Sequence, residues 1–152
     1  MNTNGALLLF DGTCGFCAES VQFVLRHEAR DRSLRFASLQ SATGARIREA
    51  HPELNSIDSV IWYEPGLNGR RETVLVRSNA VLHVLGYLGG IWRVLGTLGR
   101  VIPRALRDAG YDLIARHRHR LVRSGQVCLV PALDQRERFI DLSTEENVAS
   151  RS

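Results

Sequence analysis

The chain of 152 residues contains no lysine, so every Lys/Arg position is an arginine. Avoidance this complete reflects genome composition rather than binding, because a surface built for acidic partners normally tolerates lysine beside arginine. It lowers the weight of arginine-rich stretches as phosphate readers, despite a net charge of +4. Cysteine is scarce too: three residues, two close together and one remote, which is no framework for a disulfide-stapled secreted domain. A chain of this size buries roughly two-thirds of its unfolded surface without staples, so the thiols read as chemistry in a reducing compartment. No long uninterrupted hydrophobic run exists. The best candidate, 80–102 (AVLHVLGYLGGIWRVLGTLGRVI), is broken by His83, Arg93, Arg100 and five glycines, which excludes a spanning helix and leaves a peripheral membrane contact open. The N-terminus has no basic region, and Asp11 interrupts its short apolar stretch. These absences predict a soluble, cytoplasmic protein of one domain over 1–152, with a core at about 6–140 and a frayed tail at 143–152. There are no repeats or low-complexity tracts.

What is present is organised around LLLFDGTCGFC at 7–17. A continuous apolar run at 6–10 reads as a buried strand in a sheet covered on both faces. A helix follows from Cys17, with Thr13 as its expected N-cap. LRFASL at 34–39 reads as a second strand, and 44–51 as a short helix closed by Pro52. SVIWY at 59–63 and the stretch 72–77 pair as a hairpin around EPGLNGRR. A third helix, capped by Ser78 or Asn79, carries Ala80, Val81, Val84 and Leu85 on one stripe and breaks at Gly89 and Gly90. The piece 91–98 reads as a helix packed over the sheet or a neighbour. A helix opened by Pro103 follows, its apolar stripe at Leu106, Ala109, Leu113, Ile114 and His117.

Cys14 and Cys17 sit where the first strand passes into the first helix. Two thiols at this spacing can close a disulfide, hold a soft metal or attack another disulfide. At a helix start, unpaired N–H groups and the positive end of the dipole favour thiolate, and such cysteines titrate at roughly 3.5–7.5 rather than about 8.5. Cys14 is then the attacking thiol and Cys17, the less exposed, the resolving one. Asp11 either accepts the proton leaving Cys17 or caps the turn through backbone N–H groups. Strand, C-x-x-C, helix and second strand in succession form the arrangement of thioredoxin-like redox domains. Phe16, between the thiols, is expected to be exposed, contacting substrate together with Gly15 and Thr13.

The ordered set DGTCGFC, RFASLQSATG, DSVIWYE, SNAVLHVLGYLGG, IPRALRDAGYDLIARHRHRL and CLVP followed by ERF resembles the DCC family of predicted thiol-disulfide oxidoreductases. That family is named for an Asp-x-x-Cys-x-x-Cys signature, here Asp11, Cys14 and Cys17. The resemblance covers about 7–139. It implies a thioredoxin-like α/β fold, a small mixed sheet flanked by helices with additional C-terminal helices. It also implies dithiol–disulfide exchange with a protein or small-molecule disulfide, reset by an external dithiol reductant and without a cofactor beyond the redox-active disulfide. It places Cys128 at the family's Cys-x-x-Pro position with Pro131, as a third thiol able to exchange with Cys14 or complete a ligand set. By its apolar neighbours alone, Cys128 is a small core residue. Unlike thioredoxins, the chain has no proline before its third strand, so docking of an extended peptide is expected to differ.

The competing reading is a zinc- or partner-binding module using Cys14, Cys17 and Cys128, with His83, His117 or His119 as a further ligand. No second C-x-x-C supports it. Haem attachment is excluded because Ala18 follows Cys17. RHRHRLVR at 116–123 reads as a solvated helix end rather than a nucleic-acid site, since no aromatic residue interleaves it. His27 and His51 read as surface residues, and oligomeric state is left open, with 85–102 as the first candidate for an interface.

Overall fold

The structure is a computed structural model that describes residues 5–28, 34–57, 59–66, 69, 71–121 and 137–140. Its strands are β1 (Leu7–Phe10), β2 (Arg35–Ser38), β3 (Ile61–Glu64) and β4 (Thr73–Val76). Its helices are α1 (Gly15–His27), α2 (Ala42–Ala50), α3 (Arg77–Leu88), α4 (Gly90–Val101) and α5 (Arg104–Leu121), with a 3-10 turn at Pro52–Ser56. The sheet order is β2-β1-β3-β4. β1 and β2 are parallel, which requires the crossover that α1 supplies. β3 is antiparallel to β1, and β4 to β3. A parallel β-α-β unit followed by a helix, an antiparallel hairpin and a further helix is the thioredoxin-like α/β arrangement, here with additional C-terminal helices.

Strand periodicity sorts the core into two layers. Ala6, Leu8, Phe10, Phe36 and Trp62 face α1 and α3, where Val21, Val24, Val84 and Tyr87 meet them. Leu7, Leu9, Ala37 and Ile61 face the other way onto Ile47 of α2 and Leu54 of the 3-10 turn. All four residues of β1 are buried, as a strand covered on both sides requires. The segment 137–140 closes the outer side of β2. Phe139 makes a parallel bridge to Phe36 and stacks on its ring at 5.2 Å.

Several elements begin where hydrogen bonding, rather than apolar pattern, dictates. α1 is capped by Cys14, not Thr13, because the Thr13 N–H and hydroxyl both donate to Asp11. α2 begins before residue 44 because the Ser41 hydroxyl accepts the Gly44 N–H at 3.1 Å. Gly44 has to be glycine, since a Cβ there would run into the carbonyls of Ser38 and Leu39. α3 has neither expected cap: Val76 occupies the N-cap, and the Ser78 hydroxyl donates instead to Asp108 of α5 at 2.5 Å. Its inward stripe is Ala80, Val84, Tyr87 and Leu88, and Val81 is exposed.

α4 packs on a neighbouring helix, as expected, but the apolar stripes of the last two helices are not the faces they bury. α4 turns its glycines to α3: a Cβ on Gly99 would lie 2.7 Å from Leu82 Cδ2, and one on Gly96 would lie 3.2 Å from Leu85 Cβ. Close approach through glycine leaves Ile91, Val94, Leu95, Leu98 and Val101 on the far side, exposed. Only Trp92 turns inward, its ring 4.8 Å from that of Phe23. α5 meets α3 partly through polar pairs, Ser78 with Asp108 and Arg77 with Asp112 at 3.8 Å. Its apolar residues Leu106, Leu113 and Ile114 are exposed.

Candidate active site

β1 delivers the chain to Asp11, whose buried side chain organises the turn that follows. Asp11 Oδ1 accepts the Thr13 N–H at 3.0 Å, the Thr13 hydroxyl at 2.7 Å and the Gln40 Nε2 amide at 2.8 Å. The first is an Asx turn, the local bond that a short carboxylate makes two residues on. The Asp11 carbonyl then accepts the Cys14 N–H at 3.2 Å, and the Cys14 carbonyl accepts the Ala18 N–H at 3.1 Å, starting α1. Turn capping, one of the two roles open to Asp11, is therefore present in the geometry.

Gln40 and Ser38 are site residues that the sequence reading treated only as strand end and turn. Gln40 Oε1 accepts the Gly12 N–H at 3.0 Å and the Ser38 hydroxyl at 2.6 Å. Through its two ends the amide ties the cysteine turn to the end of β2. A Cβ on Gly12 would lie 2.7 Å from Ser38 Oγ, so glycine is needed there for close approach. The available signal was position: parallel strands β1 and β2 end at the same edge, which places polar residues just past β2 beside the turn leaving β1.

The two cysteines are together and both are buried, Cys14 at 5% exposure and Cys17 at 3%. Cys17 is the less exposed of the two, as expected, though by a small margin. Both are free thiols, and Cys14 is an immediate neighbour of the Cys17 thiol. Burial first, then the neighbouring Cys14 and the charge of Asp11, push the Cys17 thiol up to about 12, against a hydrogen bond with the Asp11 backbone. Cys17 consequently keeps its proton at neutral pH.

Phe16 is half-buried rather than exposed, because its ring packs against the core layer under α1. It also forms one wall of an apolar cleft of about 500 Å³ with Phe23, Val60, Val84, Leu85 and Ile114. Gly15 is half-buried and Thr13 is at the surface. Val60 lies in the lead to β3, where the sequence lacks a proline, and among the described residues there is no cis peptide bond.

Cys128, Pro131 and the last two residues of the 116–123 basic run lie outside the described residues; Arg116 and His117 are exposed. The His83 ring packs at a tilt against Trp62 at 4.6 Å and faces Glu64, and the His117 ring is bonded to the Leu113 carbonyl. Among the described residues no group of three or more His, Cys, Asp or Glu is arranged to hold a metal ion. Nor is any described helix long and apolar enough to cross a membrane. His51 is not free at the surface: its ring is held between Glu53 at 3.1 Å and Glu72 at 3.2 Å.

Comparison with known proteins agrees with this geometry. Residues 8–124 match the family of DCC1-like thiol-disulfide oxidoreductases. The chain is 31% identical over 135 residues to YuxK, an uncharacterized protein of Bacillus subtilis (strain 168), covering 88% of this chain and 93% of that one. It is 29% identical over 123 residues to a chloroplastic DCC family protein of Arabidopsis thaliana, covering 80% of this chain and 67% of that one. No solved structure matches it. With the Asp11, Cys14 and Cys17 signature on a thioredoxin-like sheet and a match over most of its length, the chain belongs to the DCC1-like thiol-disulfide oxidoreductase family.

Proposed function

We propose that the protein is a dithiol–disulfide oxidoreductase acting through Cys14 and Cys17. The observation that carries this reading is the close pair of buried, unbridged cysteines at the start of α1. The Cys14 thiolate attacks a substrate disulfide, forming a mixed disulfide and releasing one substrate thiolate. Cys17 then gives up its proton and attacks the Cys14 sulfur, which releases the second substrate thiolate and leaves a Cys14–Cys17 disulfide. The substrate gains two electrons, its thiolates take up the proton given by Cys17 and one from solvent, where the Cys14 proton had gone, and an external dithiol reductant reverses the internal disulfide. The high pKa of Cys17 supports this order of attack, since the thiol that keeps its proton acts second. A thiol held that high needs a base at the moment of resolution. The Asp11 carboxylate, whose charge is felt at Cys17, is proposed for that role. Thr13, Gly15 and Phe16 are proposed to contact substrate, and a reducing compartment such as the cytoplasm suits a resting dithiol.

The test combines mass and trapping. The oxidised protein should gain two hydrogens on reduction, Cys14→Ser should abolish turnover of a disulfide substrate, and Cys17→Ser should accumulate the mixed disulfide. Full turnover by Cys17→Ser without trapping would overturn the assigned roles. Stoichiometric zinc that shields both thiols from alkylation would replace exchange with metal binding.

A further inference from the structure

The outward face of α4 has no counterpart in the dithiol chemistry. Ile91, Val94, Leu95, Leu98 and Val101 recur at three- and four-residue spacing and are 46–80% exposed, Leu95 least and Val101 most. Ile102 and Leu106 carry the apolar surface across the junction into α5, at 43% and 66% exposure. A soluble monomer seldom leaves so many large apolar side chains in one stripe uncovered.

Charge on the same stretch is one-sided. From Arg77 to Arg107 the sequence has five arginines (77, 93, 100, 104 and 107) and no aspartate or glutamate. The chain as a whole is +4, so these five positive charges leave the remainder at net −1. Arg93 and Arg100 are exposed on α4 itself. Arg104 faces Asp108 at 3.6 Å and Arg77 faces Asp112 at 3.8 Å, both acids coming from α5. α4 therefore presents an apolar stripe on one side and arginines on the other, without an acid of its own.

We propose that α4 is a membrane-surface helix, lying in the plane of an anionic bilayer with its apolar stripe among the acyl-chain boundaries and its arginines at the headgroups. Amphipathic helices with this distribution bind by apolar burial plus attraction to anionic lipid. The charge pattern selects this occupant over a second copy of the chain. A second copy meeting α4 about a twofold axis would cover the stripe but leave Arg93 and Arg100, on the other side of the helix, without a partner, whereas a headgroup layer engages both. Nucleic acid would satisfy the arginines and leave the apolar stripe wet. α4 packs on α3 through Gly96 and Gly99, so docking requires no refolding of the sheet.

The experiment is flotation of the full chain with vesicles of equal parts phosphatidylglycerol and phosphatidylcholine, and with phosphatidylcholine alone. The anionic vesicles should capture the protein and the neutral ones should capture it far less. Leu98→Asp should abolish capture, and because Leu98 is 60% exposed it should leave the circular dichroism and the dithiol reaction unchanged. Arg93→Gln and Arg100→Gln should each weaken binding by about fivefold and flatten its salt dependence. No capture by anionic vesicles, or equal capture by both kinds, overturns the proposal. So does a dimer in solution that Leu98→Asp converts to monomer, since the stripe would then be covered by a second copy.

Discussion

In β1 and in α4 the same residue types meet opposite fates. Leu7, Leu8, Leu9 and Phe10 are all at or below 6% exposure, whereas Ile91, Val94, Leu98 and Val101 are all above 55%. The difference comes from what each element offers its neighbours. β1 is paired on both edges and covered on both faces, so every side chain is driven inward. α4 touches the rest of the fold through its glycines and Trp92, so its apolar side has no protein surface to bury against. Stability is therefore concentrated in the sheet and the segments that clamp it, and the outer helices are available for contacts beyond the fold.

The clamp at residues 137–140 should show the largest effect. The Arg138 guanidinium lies 2.5 Å from Glu28 Oε2, whose side chain is 2% exposed, and it also donates to the Leu34 carbonyl at 2.9 Å through Nε. Tyr87 donates its hydroxyl to the other oxygen of Glu28. Arg138→Ala strands a buried carboxylate and should cost about 3–5 kcal/mol in urea unfolding. Glu28→Gln in the same chain should restore part of that loss. If Arg138→Ala leaves the unfolding midpoint where it was, the C-terminal segment does not clamp the sheet.

The turn leaving β1 should come next. Asp11→Ala removes the acceptor for three hydrogen bonds and should destabilise by about 1–3 kcal/mol. Asp11→Asn keeps an acceptor for each of them, so it should leave stability near wild type while slowing resolution of the mixed disulfide roughly 100-fold, as expected for loss of a general base. The two variants separate the two roles of this residue. Wild-type resolution by Asp11→Asn would leave Asp11 as a turn cap alone.

Legibility of the sequence follows the same division. Strands 1 to 3 and α1 could be placed from their residues because their burial is dense enough for apolar pattern and position to coincide. Asp11, Cys14 and Cys17 could be found because turn, strand end and thiol spacing are all local. Gln40 and Ser38 could not be assigned to the site, since they join it only once β1 and β2 are paired in parallel. In α4 and α5 periodicity identified an apolar stripe correctly, but a stripe does not say what covers it. Gly96 and Gly99 of α4, counted in the sequence only against a spanning helix, are what bring the helix against α3. Arg77 was equally opaque: it takes φ 53 at the start of α3, a left-handed conformation that arginine seldom adopts.

On the far layer of the sheet the expected effect is smaller and depends on pH. The hydrogen bond to Glu72, with Glu53 adding to it, raises the His51 pKa above its ordinary 6.5. The contribution of His51 to stability is then complete below 6.5 and is lost as pH rises through the raised value. Glu72 is shifted down from 4.5, first by the Tyr63 hydroxyl and then by His51, so its contribution is present above 4.5 and lost as pH falls through the lowered value. The link between the hairpin and the end of α2 should be strongest between those limits. Thermal melts of wild type and His51→Gln should differ most near pH 5 to 6, within the window bounded by 4.5 and 6.5, and converge on the alkaline side. A constant difference across that range would mean that His51 acts by packing alone.

The smallest effect should be at the surface of α4, and it sharpens the contrast with β1 most directly. Leu8→Ala removes a side chain at 1% exposure and should cost about 2–5 kcal/mol, through lost transfer energy and the cavity left behind. The same substitution at Leu98, 60% exposed, removes apolar surface that water already reaches. It should change folding stability by less than about 0.5 kcal/mol, with alanine's helix propensity offsetting the little packing lost. Parallel urea titrations of the two variants make the comparison. A Leu98→Ala cost near that of Leu8→Ala would mean that the α4 stripe is covered in solution by the chain itself, and it would remove the free surface that lipid docking requires.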